Sequence, residues 1–264
     1  MSSIGKNASI IRKKTIRQQF DLQAEKFSNW SVTRNLEYMQ LYAEFCEIVE
    51  SDVLLDVACG TGEFAIYCAQ KINKVCGVDL SDKMIEVAIN NANGLQLNNV
   101  FFAVQDVMTL PFESSSFSIV NCKSAFHHFD DYQNNFYEMK RCCESGGRVA
   151  VQDIIAYENQ KVNTFFERME SLVDISHNKT LSADFIKRLF QSNNMAILRS
   201  RVVNVELHLQ EYIRHAVQTE TKKNEVVALL EVGINDPEIG DYFLEKEDGW
   251  YFKRNVLLLL GEKP

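Results

Sequence analysis

The chain has 264 residues, 46% hydrophobic and 24% charged, with a formal net charge of −8; this suffices for one globular domain, or a domain plus a lid, with no disulfide or metal staple. The negative balance works against nucleic acid as the main partner, because phosphate binding needs a basic surface. No apolar run approaches the roughly 20 residues of a membrane span, the N-terminus lacks a signal-peptide core, and seven scattered cysteines without a C-x-x-C pair fit buried hydrophobes rather than a zinc site, so a reduced cytoplasmic protein without metal is expected.

Residues 1–50 predict a helical cap, with apolar positions at helical spacing in Phe20, Ala24 and Phe27 and again in Leu36, Met39, Ala43 and Cys46. The basic cluster Arg12, Lys13, Lys14 and Arg17 reads as a solvated helix start. From Asp52 the pattern changes to short apolar strands alternating with helices. Strands are expected at 53–57, 75–79, 100–104, 118–122 and 148–155. A helix follows Gly60-Thr61-Gly62 to about Lys71, Ser81 caps one from Asp82 to about Leu95, and one from Asp130 to Cys143 closes on Gly146-Gly147. This alternation predicts βαβ units and a parallel sheet with helices on both faces.

Beyond the fifth strand, 160–193 reads as two helices, 197–209 as a partly exposed strand, 210–245 as helical and charged, and 250–260 as a long apolar strand. The expected fold is α/β and Rossmann-like: a seven-stranded, mostly parallel sheet with an antiparallel C-terminal strand and helical insertions after the fifth and sixth strands. Residues 1–264 then form one domain, divided into a cap (1–50), a ligand-binding core (51–155) and a substrate side (156–264).

The most informative segment is Leu54-Leu55-Asp56-Val57-Ala58-Cys59-Gly60-Thr61-Gly62. A strand entering a glycine pair and then a helix lets backbone N–H groups approach a ligand, and Asp79 at the end of the next strand is placed for ribose hydroxyls. Gly60-x-Gly62-x-x-Ala65 also satisfies a relaxed dinucleotide fingerprint. Three features favour another ligand. Asp56 would repel a pyrophosphate but attract an ammonium or sulfonium. Asp106, with Leu110-Pro111-Phe112 beyond it, suits an adenine edge. A plain dinucleotide domain does not require the late strand pair.

These motifs, Asp-x-Ala-Cys-Gly-Thr-Gly, Gly-Val-Asp and Gln-Asp-x-x-x-Leu-Pro-Phe, resemble those of the class I S-adenosylmethionine-dependent methyltransferases over roughly residues 50–155. The resemblance implies S-adenosyl-L-methionine as cofactor. Gly60 and Gly62 would cradle its methionine part and Asp56 its amino group. Asp79 would take the ribose, Leu80 or Met84 would pack on adenine, and Asp106 and Val107 would face the adenine edge. Ala58, Thr61 and Lys123 complete the implied contacts. Phe20-Asp21-x-x-Ala24-x-x-Phe27 resembles the entry helix that covers the cofactor.

For the acceptor, the loop Asn121 to Phe129 lies at a strand's carboxyl end, where ligands meet such sheets. It lacks the Asn/Asp-Pro-Pro-aromatic sequence of amine methylases, and the cysteines do not match an arsenic-binding trio. His127 or His128 is a candidate general base; the alternative is packing or a backbone bond, more so for His128. Asp174-Ile175-Ser176-His177 supplies Asp174 and His177 as further candidates, or else as a cap and a helix-end histidine. That cluster, with Ser182-Ala183-Asp184-Phe185, is similar to the ubiquinone/menaquinone-biosynthesis C-methyltransferase-like group. Gln210-Glu211-Tyr212 and Trp250-Tyr251-Phe252 extend the similarity. The expected function is methyl transfer to a small molecule, through carbon or oxygen, with a phenol or quinol implied by the resemblance alone. A nicotinamide-dependent oxidoreductase and a non-catalytic binding module are the competing readings.

Overall fold

Strands buried on both faces need unbroken apolar runs, and the runs predicted between residues 53 and 155 form such strands. The computed structural model describes residues 3–216 and 219–264. Strands β1 (Val53–Val57), β2 (Lys74–Asp79), β3 (Val100–Val104), β4 (Phe117–Lys123) and β5 (Cys143–Ile154) run parallel in the order β3-β2-β1-β4-β5. Between them lie α3 (Glu63–Ala69), α4 (Asp82–Gly94) and α5 (Tyr132–Cys142). Ser81 caps α4 as expected, its hydroxyl accepting from the Met84 N–H.

Successive residues of a strand point to opposite faces, and the two faces bury different helices. Leu55, Val57, Val120, Val149 and Val151 pack with α5 and with α7 (Ala183–Ser192). Leu54, Val75, Ile119 and Ala150 pack with α3, α4 and α2 (Leu36–Phe45). The helix α1 (Ser3–Ser28) crosses the carboxyl ends of the first strands, against α4. Among the described residues no helix is long and apolar enough to cross a membrane.

The C-terminal addition follows the predicted plan with two corrections. Strand β8 (Gly249–Glu262) lies antiparallel between β5 and β6 (Ala196–His208). The first correction is an eighth strand: β7 (Phe243–Lys246) pairs with the start of β8 across the two-residue loop Glu247-Asp248. Four residues are too few to show a period, and the preceding helices α8 (Leu209–Ala216) and α9 (Glu220–Ile234) dominated the pattern. Phe243, paired with Phe252, joins a third apolar cluster with Phe165, Phe166 and Met169 of α6 (Gln160–Val173).

The second correction concerns Gly146-Gly147, which do not close a helix. The chain leaves α5 at Cys142 and is already in β5 at Cys143. Gly146, at φ 74°, donates to the Lys263 carbonyl. A Cβ on Gly147 would come within 2.9 Å of the Ser118 carbonyl, so close strand pairing requires glycine there.

Candidate active site

The carboxyl ends of the parallel strands open into one cavity of about 320 Å³. Its roof is α1, which contributes Lys13, Ile16, Phe20, Gln23 and Phe27. Of the residues singled out in the sequence, Asp56, Ala58, Gly60, Asp79, Leu80, Met84, Asp106, Val107, Lys123, His127 and Asp174 all line it. Thr61, Gly62 and His177 do not.

The turn after β1 is held by unusual backbone: Ala58, Gly60 and Gly62 have φ of 54°, 56° and 83°. Left-handed alanine is uncommon and costs free energy, so its surroundings must hold it there. The Gly60 N–H donates to Asp79 Oδ2 at 2.9 Å, tying the turn to the end of β2, and the Ser81 N–H donates to Asp79 Oδ1. The two glycines differ in purpose. A Cβ on Gly60 would meet only Phe27, at 3.6 Å, whereas one on Gly62 would strike the Phe102 ring at 2.8 Å and Ala88 at 2.9 Å. Glycine at 62 is therefore required by helix–strand packing. Thr61 is fully buried and hydrogen-bonds to Glu63.

Three acids at this end, Asp56 buried and Glu63 and Asp79 half-buried, are shifted in the same direction. Burial pushes the Asp56 carboxyl up to about 7, against the hydrogen bond from Asn121 Nδ2 to its Oδ1 at 2.6 Å. Asn121 is itself fixed by the Tyr42 hydroxyl, which donates to Asn121 Oδ1 at 2.8 Å. Burial also raises Asp79, despite its backbone donors, and Glu63. Asp106 caps the short turn Val107–Thr109, accepting from the Met108 N–H, and pairs with Lys13 at 2.5 Å. Lys123, at the end of β4, is held below the usual lysine range by burial, with Glu63 and Asp56 opposing.

Past β4 and β5 the chemistry changes. His127 Nδ1 lies 2.6 Å from Asp153 Oδ1, and the His127 N–H donates to Asp153 Oδ2. Burial disfavours the charged imidazole, but the Asp153 carboxylate outweighs it and holds the His127 pKa up. Burial would raise Asp153, yet His127 brings it below the usual range. Nε2 has no hydrogen-bond partner among the described residues, so the ring offers that atom to the cavity. His128 instead faces the Ser176 carbonyl at 3.0 Å, and burial with His127 beside it drives its pKa down to about 3. Its ring is engaged by that backbone contact, although His128 also lines the cavity.

Asp174 caps a turn, accepting from the Ser176 N–H and hydroxyl, while also lining the cavity. His177 is set against Glu167, with Nε2 to Oε2 at 3.4 Å, away from the lining. Burial in that turn, rather than approach to the cavity, accounts for it.

The basic cluster departs from expectation in part. Lys14 and Arg17 are exposed, but Arg12 pairs with Asp130, Lys13 with Asp106 and Arg17 with Asp82, so α1 is also tied by charge across the cavity mouth. Sequence reading missed Glu63, Asp153, Arg254 and Glu170. Asp153 did carry a signal, a charged residue near the end of a mostly apolar strand, whereas Arg254 sits between Lys253 and Asn255 and carried none.

The cavity suits a polar, positively charged ligand. Gln23 Oε1, Tyr38 Oη and Asn135 Oδ1 are buried in its wall without hydrogen-bond partners, and buried polar atoms normally have one. Residues 55–151 match the methyltransferase-domain family. The uncharacterized methyltransferase YcgJ of Bacillus subtilis is 26% identical over 211 residues, 80% of this chain and 83% of that protein. Its crystal structure superimposes with a TM-score of 0.77 at 24% identity, covering 85% of this chain and 97% of that one. The demethylmenaquinone methyltransferase of Oceanobacillus iheyensis is 34% identical over 101 residues, 37% of this chain and 42% of that protein. A geranyl diphosphate C-methyltransferase from Streptomyces coelicolor, solved with Mg²⁺, geranyl diphosphate and S-adenosyl-L-homocysteine, shares the fold. Its TM-score is 0.59 at 16% identity, over 86% of this chain and 78% of that one. Residues 55–151 thus carry the match to the methyltransferase-domain family, and the fold is that of solved methyltransferases.

Proposed function

We propose that the chain transfers a methyl group from S-adenosyl-L-methionine to the oxygen or an activated carbon of a small phenol- or quinol-like acceptor. The observation that carries this reading is the convergence of Asp56, Asp79 and Asp106 on one cavity beside the Gly60 turn. Asp56 and Glu63 take the ammonium, Asp79 the ribose hydroxyls, and Asp106 the adenine amine, with Leu80, Met84 and Val107 against the ring. Ala58, Gly60 and Lys123 surround the methionine part. When bound, the cofactor supplies an electrophilic methyl on sulfur. His127 Nε2 takes the acceptor's proton, and Asp153 holds the imidazole in the tautomer that leaves Nε2 basic. Aromatic residues of α1 exclude water above the site. Residues 1–50, 51–155 and 156–264 then act as cap, cofactor core and acceptor side of one domain. The partial match to a demethylmenaquinone methyltransferase supports a ring acceptor.

Calorimetry of the purified protein with S-adenosylhomocysteine and, separately, NADH tests the cofactor. Binding of S-adenosylhomocysteine alone is expected, weakened about 100-fold or more in Asp79→Ala, because several hydrogen bonds to a charged group are lost together. Binding of NADH alone, or equal S-adenosylhomocysteine affinity in a folded Asp79→Ala protein, would overturn the reading.

A further inference from the structure

The acceptor half of the cavity holds a charged pair with no part in strand pairing or capping. Arg254 stands on β8 opposite Val205 of β6, two residues from Val256, which pairs with Ile154 at the end of β5. All four line the cavity. Only 2% of Arg254 is exposed. Its Nη2 lies 2.8 Å from Glu170 Oε1 on α6, without meeting hydrogen-bond geometry there or elsewhere. The guanidinium sits 5.7 Å from the centre of the Phe166 ring.

A guanidinium carries five N–H donors. Burying an ion pair commonly costs more than its attraction returns unless the remaining hydrogen-bonding capacity is met. Here Arg254 Nη2 is left without a well-formed hydrogen bond at a cavity wall that Trp30, Val32, Val173, Leu207 and Tyr212 share. The charges around this chamber are already matched: Arg254 by Glu170, and Asp153 by His127. Asp174 is held by Ser176. At this pair an anionic guest would meet a guanidinium already matched by a carboxylate, whereas a neutral oxygen would find a donor and an acceptor side by side.

We propose that Arg254 and Glu170 anchor the methyl acceptor, an uncharged apolar molecule bearing a hydroxyl or carbonyl oxygen. Arg254 donates to that oxygen, and Glu170 accepts from a hydroxyl proton. That the guest is a methyl acceptor rests on the function proposed above; its capture by the pair does not.

The test uses the full chain with S-adenosylhomocysteine present and three probes of similar shape: 2-naphthol, 2-naphthoate and 2-methylnaphthalene. The parent protein is expected to bind 2-naphthol more tightly than either of the others. In the double variant Arg254→Met, Glu170→Met, which replaces the pair by apolar groups of similar size, 2-naphthol binding falls about tenfold, the loss expected for hydrogen bonds to charged groups. Affinities for 2-methylnaphthalene and S-adenosylhomocysteine stay within about twofold, as expected when the probe lacks the oxygen and the cofactor half is untouched. If the double variant does not fold, Arg254→Lys carries the test, with a smaller loss confined to 2-naphthol. Equal 2-naphthol affinity in parent and variant, tighter binding of 2-naphthoate than of 2-naphthol, or no probe binding to the parent would overturn the proposal. A parent that discriminates the probes as expected but binds no S-adenosylhomocysteine would sink the methyl-transfer reading and leave this one standing.

Discussion

Two halves of one cavity handle buried charge in opposite ways. At the ends of β1 and β2, Asp56, Glu63 and Asp79 are driven toward protonation by burial. Past β4 and β5, Asp153 faces His127 and Glu170 faces Arg254, each acid against an internal cation. Burial penalises charge in both places, and the difference lies in what stands opposite each acid. On the function proposed above, the first half is completed by the cofactor's cation and the second by the protein's own. On that proposal a charged cofactor belongs to one half and a neutral acceptor to the other.

Removing the internal counter-charge should break the comparison most severely. Asp153→Asn leaves His127 without its carboxylate and frees its tautomer, so turnover of S-adenosylmethionine with any accepted substrate is expected to fall about 10²–10⁴-fold. S-adenosylhomocysteine affinity should not change. A parallel loss of cofactor binding, measured by calorimetry, would mean that the halves are not separate.

A smaller effect sharpens the other side. With Asp56 pushed up to about 7 in the empty protein, an ammonium favours its ionised form. Affinity for S-adenosylhomocysteine should be complete above that pH and decline as pH falls through it, by at most about tenfold per unit. Asp56→Asn should bind more weakly and show a flatter profile. A profile unchanged by this substitution would remove Asp56 from the cation's site.

The smallest effect belongs to the pairs that pin α1, which are partly exposed. Arg12→Ala, Lys13→Ala and Arg17→Ala should each cost at most about 1 kcal/mol of stability, less at high salt. Their clearer signature should be faster release of S-adenosylhomocysteine in stopped-flow displacement, since they hold the roof shut. A release rate equal to that of the parent would show that α1 is held by its apolar face alone.

Much of the cofactor half was legible before any coordinates, because its residues lie at the ends of successive strands and the βαβ rule brings those ends together. Asp56, Asp79 and Asp106 are 23 and 27 positions apart, yet one repeating unit aligns them. The packing demand on Gly62 was not legible, since the Phe102 ring that makes it comes from another strand. The acceptor half was read poorly for the same reason. His127 and Asp153 are separated by a helix and most of a strand, and Arg254 meets Glu170 only after β8 inserts between β5 and β6.

The sequence alone determined the strand–helix alternation, the glycine turn and the three acids of the core, because hydrophobic period and local turn chemistry are encoded within short windows. Tertiary structure decided which buried charges found partners, which histidine met a carboxylate and what the N-terminal basic residues touched. Those outcomes depend on the distance between side chains far apart in the chain. Electrostatic energy in a dry interior changes steeply with that distance, and spacing along the sequence does not measure it.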